Sequence, residues 1–115
     1  VNPAEWARCR GWILPALRDA TEAELVAMLE THRAQLWRGE GGAIVTQLVR
    51  AREPLLAFWL AGGGLAAVLA LVPGIEAWGR AQGCVAVWIN GRPGWRRVLA
   101  PRGYVAAGET LRKAL

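Results

Sequence analysis

The sequence predicts the α/β (α+β) class: a mixed, mostly antiparallel sheet with two N-terminal helices, a strand-helix-strand crossover and a short C-terminal helix. Three observations point there. The first 30 residues hold two capped helical segments. Residues 34 to 61 contain strand-like apolar runs separated by a glycine-rich turn. Then LLAFWLA, three glycines, a long Ala/Leu-rich run and CVAVWI follow one another in the order of a crossover. At 115 residues the chain is a single domain, 1–115, with room for one core and not two.

Asn2 before Pro3 is an N-cap followed by proline at the first helical position, and it opens a helix bearing Trp6, Cys9, Trp12 and Ile13. Pro15 kinks or ends that helix. Thr21 with Glu24 three residues on is a capping box, which starts a second helix with Leu25, Met28 and Leu29 on one face. AQLW, 34–37, and AIVTQLV, 43–49, flank RGEGG and are expected to form a hairpin. LLAFWLA is the third strand, and a helix runs from about Leu65 to Gln82, disturbed at Pro73 and Gly74 and closed by Gly83. CVAVWI, 84–89, is the next strand, ended by Asn90 and Gly91. A short helix GWRRVLAP, a strand at Gly103, Tyr104 and Val105, and a last strand around Thr110 to Leu115 complete the chain. The helix between LLAFWLA and CVAVWI makes those two strands parallel.

Residues 55–72, LLAFWLAGGGLAAVLALV, carry no charge and reach the length of a membrane span. Gly62, Gly63 and Gly64 at its centre each cost an interior helix roughly 1 kcal/mol. The half with Phe58 and Trp59 favours strand and the half after the glycines favours helix, so a strand, a glycine turn and a helix is the preferred reading, with no membrane association. VNPAEW lacks the basic and apolar regions of a secretory signal, so export is not expected; Val1 fits an alternative start codon as well as a trimmed chain. Cys9 and Cys84 have no CxxC spacing and His32 is the single histidine, so both cysteines are expected as buried thiols and no metal site is expected.

The charge of +5 rests on thirteen arginines and one lysine. Arg92, Arg96, Arg97, Arg102, Arg112 and Lys113 fall in the last quarter, where Glu109 is the only acid. A solvated basic face is the favoured reading; contact with a phosphate-bearing partner, including proximity to nucleic acid, is the alternative. Seven tryptophans are too many for one small domain to expose, so most are expected in the core. Trp95, beside Arg96 and Arg97, is the candidate interface anchor.

This order of elements resembles the Gcn5-related N-acetyltransferase (GNAT) fold over nearly the whole chain, without that family's additional first strand. The resemblance implies that the loop after LLAFWLA, with Gly62, Gly63, Gly64 and Leu65, stands where backbone amides at a helix start hold the acetyl-CoA pyrophosphate. Asn90, at the carboxyl end of its strand, is a further candidate ligand contact, although Asn-Gly is more often a turn. INGRPGWRRVLAPRGY looks like the fifth strand, short helix and Gly-aromatic entry to the sixth strand of GNAT proteins. More narrowly, WLAGGG, IEAWGRAQGC, GRPGW and RGY are similar to small GNAT-like proteins of tailed phages and prophages. That likeness implies a place in the bacterial host cytoplasm or the virion, with phage structural proteins or further copies of the chain as partners.

Several residues depart from the enzyme pattern. LAGGGLAA has no Arg or Gln in the pyrophosphate loop, and Leu99 stands four residues before Gly103, where the family's frequent acid is a tyrosine. Neither LLAFWLA nor CVAVWI holds a carboxylate to serve as a base. No catalytic residue is therefore assigned. The expectation is a non-catalytic GNAT-like protein acting in a virion or its assembly, with no cofactor; the alternative is a minimal N-acetyltransferase that uses acetyl-CoA on an amine.

Overall fold

The structure is a computed structural model that describes residues 1–90 and 93–115. Its elements are α1 (Pro3–Ile13), a 3-10 turn (Leu14–Ala16), α2 (Glu22–Glu30), β1 (Gln35–Gly39), β2 (Gly42–Arg50), β3 (Pro54–Gly63), α3 (Leu65–Ala81), β4 (Ala86–Asn90), α4 (Pro93–Leu99), a second 3-10 turn (Ala100–Arg102), β5 (Val105–Ala107) and β6 (Thr110–Ala114). The strands form one six-stranded sheet in the order β1-β2-β3-β4-β6-β5. β3 and β4 pair in parallel, as the crossover requires, and the other pairs are antiparallel.

Local sequence fixes the helix ends. The Asn2 side chain accepts from the Ala4 amide at 2.8 Å, and Thr21 and Glu24 complete both bonds of a capping box. Pro15 falls in the 3-10 turn that ends α1. α3 closes with amides of Gly83 and Cys84 on the carbonyls of Arg80 and Gly79, the paired bonds of a Schellman end.

Helices cover both faces of the sheet. Trp6, Cys9 and Ile13 of α1 and Leu25 and Leu29 of α2 pack on Ala43, Val45 and Leu60. On the opposite face Val68, Val72 and Ile75 of α3, with Leu99 and Tyr104, pack on Ile44, Leu56, Val87, Ile89 and Leu111. Both cysteines are buried and free, and burial pushes both thiols up. Among the described residues no helix is long and apolar enough to cross a membrane.

Strand ends shift by one or two residues from the sequence reading at β1, β2 and β4, which is 86–90 rather than 84–89, and three differences matter more. β3 does not stop at Ala61; it runs on through Gly62 and Gly63, which pair with Ala43 and Gly42. Pairing with a neighbour strand outweighs the low strand preference of glycine there. α3 passes through Pro73 and Gly74 as one helix. The strand expected at Gly103 begins at Val105, because Gly103 takes a left-handed conformation at the end of the 3-10 turn.

Candidate functional site: a cleft beside β3

β3 pairs with β2 throughout but with β4 over only part of its length. Leu55 to Phe58 pair with Ala86 to Ile89 of β4, and beyond Phe58 the strand continues against β2 alone among the described residues. The parting coincides with a bulge: Val45 faces Leu60 and Thr46 faces Phe58, so Trp59 is the inserted residue. An inserted residue reverses the alternation of side chains. Accordingly Leu56 and Phe58 join the α3 side, Trp59 and Leu60 join the α1 side, and Ala61 returns to the α3 side.

The diverging strands bound a cleft of about 1060 Å3. Trp12, Phe58, Trp59, Trp88, Trp95 and Leu99 give it an aromatic and apolar wall. The Gly64 amide donates to the Gly41 carbonyl at 2.8 Å, so ladder alternation turns the backbone of Gly62 toward β2 and that of Ala61 and Gly63 away from it. Among the described residues those outward groups have no strand partner, and they offer amide-like donors and acceptors to a ligand.

The glycines are held by the chain itself. A Cβ on Gly62 would collide with the Trp12 carbonyl at the end of α1, and one on Gly63 would collide with the Gly41 carbonyl in the hairpin turn. Gly63 also has φ +100°, which a side chain rarely adopts. Gly64 differs: its φ is −70°, and a Cβ there would meet nothing nearer than Gly41 O at 3.8 Å. It caps α3 without a side-chain hydrogen bond, leaving the first helical amides for an outside partner.

Of the residues singled out in the sequence, Gly62, Gly63, Asn90 and Trp95 line the cleft together. Gly64 and Leu65 stand exposed at the start of α3, outside the lining. Arg96 and Arg97 are exposed on α4, whereas Arg102 donates to the Leu69 carbonyl at 3.3 Å. Arg92 lies outside the described residues. Sequence patterns place Trp12 on the first helix but give no hint that it reaches the cleft from the end of α1, nor that Arg18 and Asp19 reach it from the α1–α2 connection. They join it through the packing of α1 on β3, a long-range contact that no local motif announces. Among the described residues no three His, Cys, Asp or Glu side chains gather as a metal site.

No protein-family model, curated protein or solved structure matches the chain.

Proposed function

We propose that the chain is a non-catalytic module of GNAT-like fold, phage-encoded, that works in a virion or its assembly by contacting phage structural proteins or further copies of itself. The observation that carries this reading is what Gly62 and Gly63 touch. Both are required by close approach of the chain's own backbone, at Trp12 and at Gly41, so the glycines have a packing role without any cofactor. Leu99 supports the same reading. It is 1 % exposed in the core beside α3, at the position where the resemblance would put a proton donor. The order of elements and the single parallel pair at the crossover support the GNAT-like part, and the sequence likeness to phage proteins supports the setting.

A second reading has one specific observation in its favour. The N-terminus of α3 is uncapped by any side chain and lies next to the cleft, an arrangement suited to a pyrophosphate. On that reading the protein is a minimal N-acetyltransferase: an amine nitrogen bonds to the acetyl carbon, the thioester C–S bond breaks, and the CoA thiol leaves with the proton. Orientation in the cleft would supply the rate, because transfer from a thioester to an amine gains much from positioning.

Titration with acetyl-CoA and CoA, followed by tryptophan fluorescence and calorimetry, separates the two. The first reading expects no binding at millimolar ligand. Binding that Gly64→Asp abolishes, with thiol release on adding amines, would replace it by the second.

A further inference from the structure

Beyond Phe58 the sheet opens along its middle. β3 keeps β2 on one side as far as Gly63, while its pairing with β4 ends at Phe58 and Ile89. Ladder alternation turns the N–H and C=O groups of Ala61 and Gly63 into the opening, two residues apart. Ala61 is half-buried and Gly63 exposed, so this edge can be reached from outside. β1 and β5 are also edges of the sheet, but none of their residues lines the cleft. Among the described residues the edge inside the cleft belongs to β3.

The edge and both walls together set what fits. Val72, Trp95 and Leu99 stand on the α3 side, and Trp12 and Trp59 on the α1 side. Trp88 alternates along β4 with Val87 and Ile89 of the α3 side, so it adds a third indole to the α1 side. An apolar molecule seated there would dry the N–H and C=O groups of Ala61 and Gly63 and return no hydrogen bond. A molecule with a single amide would leave half of them unpaired. An extended polypeptide meets both requirements, because its amides recur on one edge at the same two-residue spacing and its side chains alternate between the walls. Arg18 and Asp19, the charged side chains of the described lining, approach from the α1–α2 connection, so the α3 wall takes apolar side chains.

We infer that the cleft takes up an extended, uncharged segment of a partner protein, about five residues long, as an added strand hydrogen-bonded to Ala61 and Gly63. The segment's side chains toward α3 are apolar. Such a strand is the form in which a partner reaches the module of the first functional reading, on which the proposal rests.

The probe is a blocked heptapeptide, alternating valine and alanine between terminal lysines, added at millimolar concentration to the full chain while amide hydrogen exchange is followed by NMR. Exchange at Ala61 and Gly63 is expected to slow by about tenfold or more, while Gly62, already turned to β2, changes little. The same peptide methylated on every backbone nitrogen keeps its side chains and loses its donors, and is expected to bind about tenfold or more weakly. Ala61→Pro removes the outward N–H, leaves the pairing with β2 in place, and is expected to weaken the parent peptide comparably. Unchanged exchange at Ala61 and Gly63, or equal binding of the methylated peptide, overturns the proposal, and neither result depends on the variant folding. Protection of the two amides by acetyl-CoA and not by the peptide, or by raising the concentration of the chain alone, names another occupant and overturns it as well. Thiol release from acetyl-CoA and an amine is read in parallel. Thiol release with the peptide's protection intact sinks the non-catalytic reading alone; absent protection without thiol release sinks the added strand alone.

Discussion

The Arg102 guanidinium donates a 3.3 Å hydrogen bond to the carbonyl of Leu69, the carbonyl four residues before Pro73. Within a helix that carbonyl would accept from the amide of residue 73, and proline has none. An arginine from the turn before β5 therefore supplies the donor that α3 lacks. Pro73→Ala is expected to stabilise the protein, by up to about 3 kcal/mol, by restoring the amide. Arg102→Ala is expected to cost about 1 kcal/mol in the parent and much less in the Pro73→Ala background. Urea denaturation of the four proteins measures this, and an equal cost in both backgrounds would refute the link.

Tyr104 and Lys113 share the buried carboxylate of Glu76. The Tyr104 hydroxyl donates at 2.7 Å and the Lys113 ammonium sits at 3.0 Å, while Glu76 is 6 % exposed. Glu76→Ala leaves a buried hydroxyl and a half-buried ammonium without an acceptor, and is expected to cost about 2 kcal/mol or more. Tyr104→Phe keeps the ion pair and is expected to cost about 1 kcal/mol. Denaturation midpoints that rank the two variants the other way would show that the ion pair is not what holds this corner.

The same tyrosine reports on alkaline stability. Burial, and then the bond to Glu76, push its hydroxyl well above the ordinary value of 10. A group whose folded value is raised contributes stability that is full below the unfolded value and declines as pH rises past it. Since Tyr104 is the only tyrosine, tyrosinate absorbance is expected to appear with unfolding rather than before it as pH climbs beyond 10. A smooth titration near pH 10 in the folded protein would contradict the burial.

What the sequence made legible divides by range of interaction. Asn2, Thr21 with Glu24, and Gly83 are local signals, and each sits at the helix end expected of it. The parallel pairing of LLAFWLA with CVAVWI followed from the crossover rule. The glycine triplet reads as a turn in sequence, yet only Gly64 lies between strand and helix, because pairing with β2 draws Gly62 and Gly63 into β3. Pro73 reads locally as a disturbance of the helix, but α3 is continuous there, and Arg102, distant in sequence, donates to the carbonyl that the proline leaves without an amide. The bulge at Trp59 and the approach of Asp19 to the cleft left no local trace, since one depends on register and the other on how α1 packs.

Acid stability is predicted at a different place. The Arg10 guanidinium, and after it the Trp6 indole, hydrogen-bond the Glu22 carboxylate and hold its pKa at about 2 instead of 4.5. A lowered folded value contributes stability above the unfolded one and loses it as pH falls through the folded one. The melting temperature is therefore expected to fall between pH 4.5 and 2, and Glu22→Gln is expected to flatten that fall. An unaltered slope in the variant would mean that other carboxylates govern the transition.

The three neighbouring glycines are expected to answer substitution differently. At Gly62 a methyl group meets the Trp12 backbone, which cannot move without shifting α1, so Gly62→Ala is expected to destabilise by about 2 kcal/mol or more. At Gly63 the clash with Gly41 is joined by the φ of +100°, and the loss is expected to be at least as large. Gly64→Asp reverses the sign. The position has space and an ordinary φ, and aspartate there caps α3 and complements its dipole, a gain of a few tenths of a kcal/mol over glycine. The same carboxylate fills the place an incoming pyrophosphate would take. Gly64→Asp is thus a variant that remains folded while losing any anion site, so thermal melting and acetyl-CoA titration of that one protein read structure and ligand separately. A lowered melting temperature would show that the α3 N-terminus is more tightly packed than the geometry implies; unchanged acetyl-CoA binding would place the phosphates elsewhere.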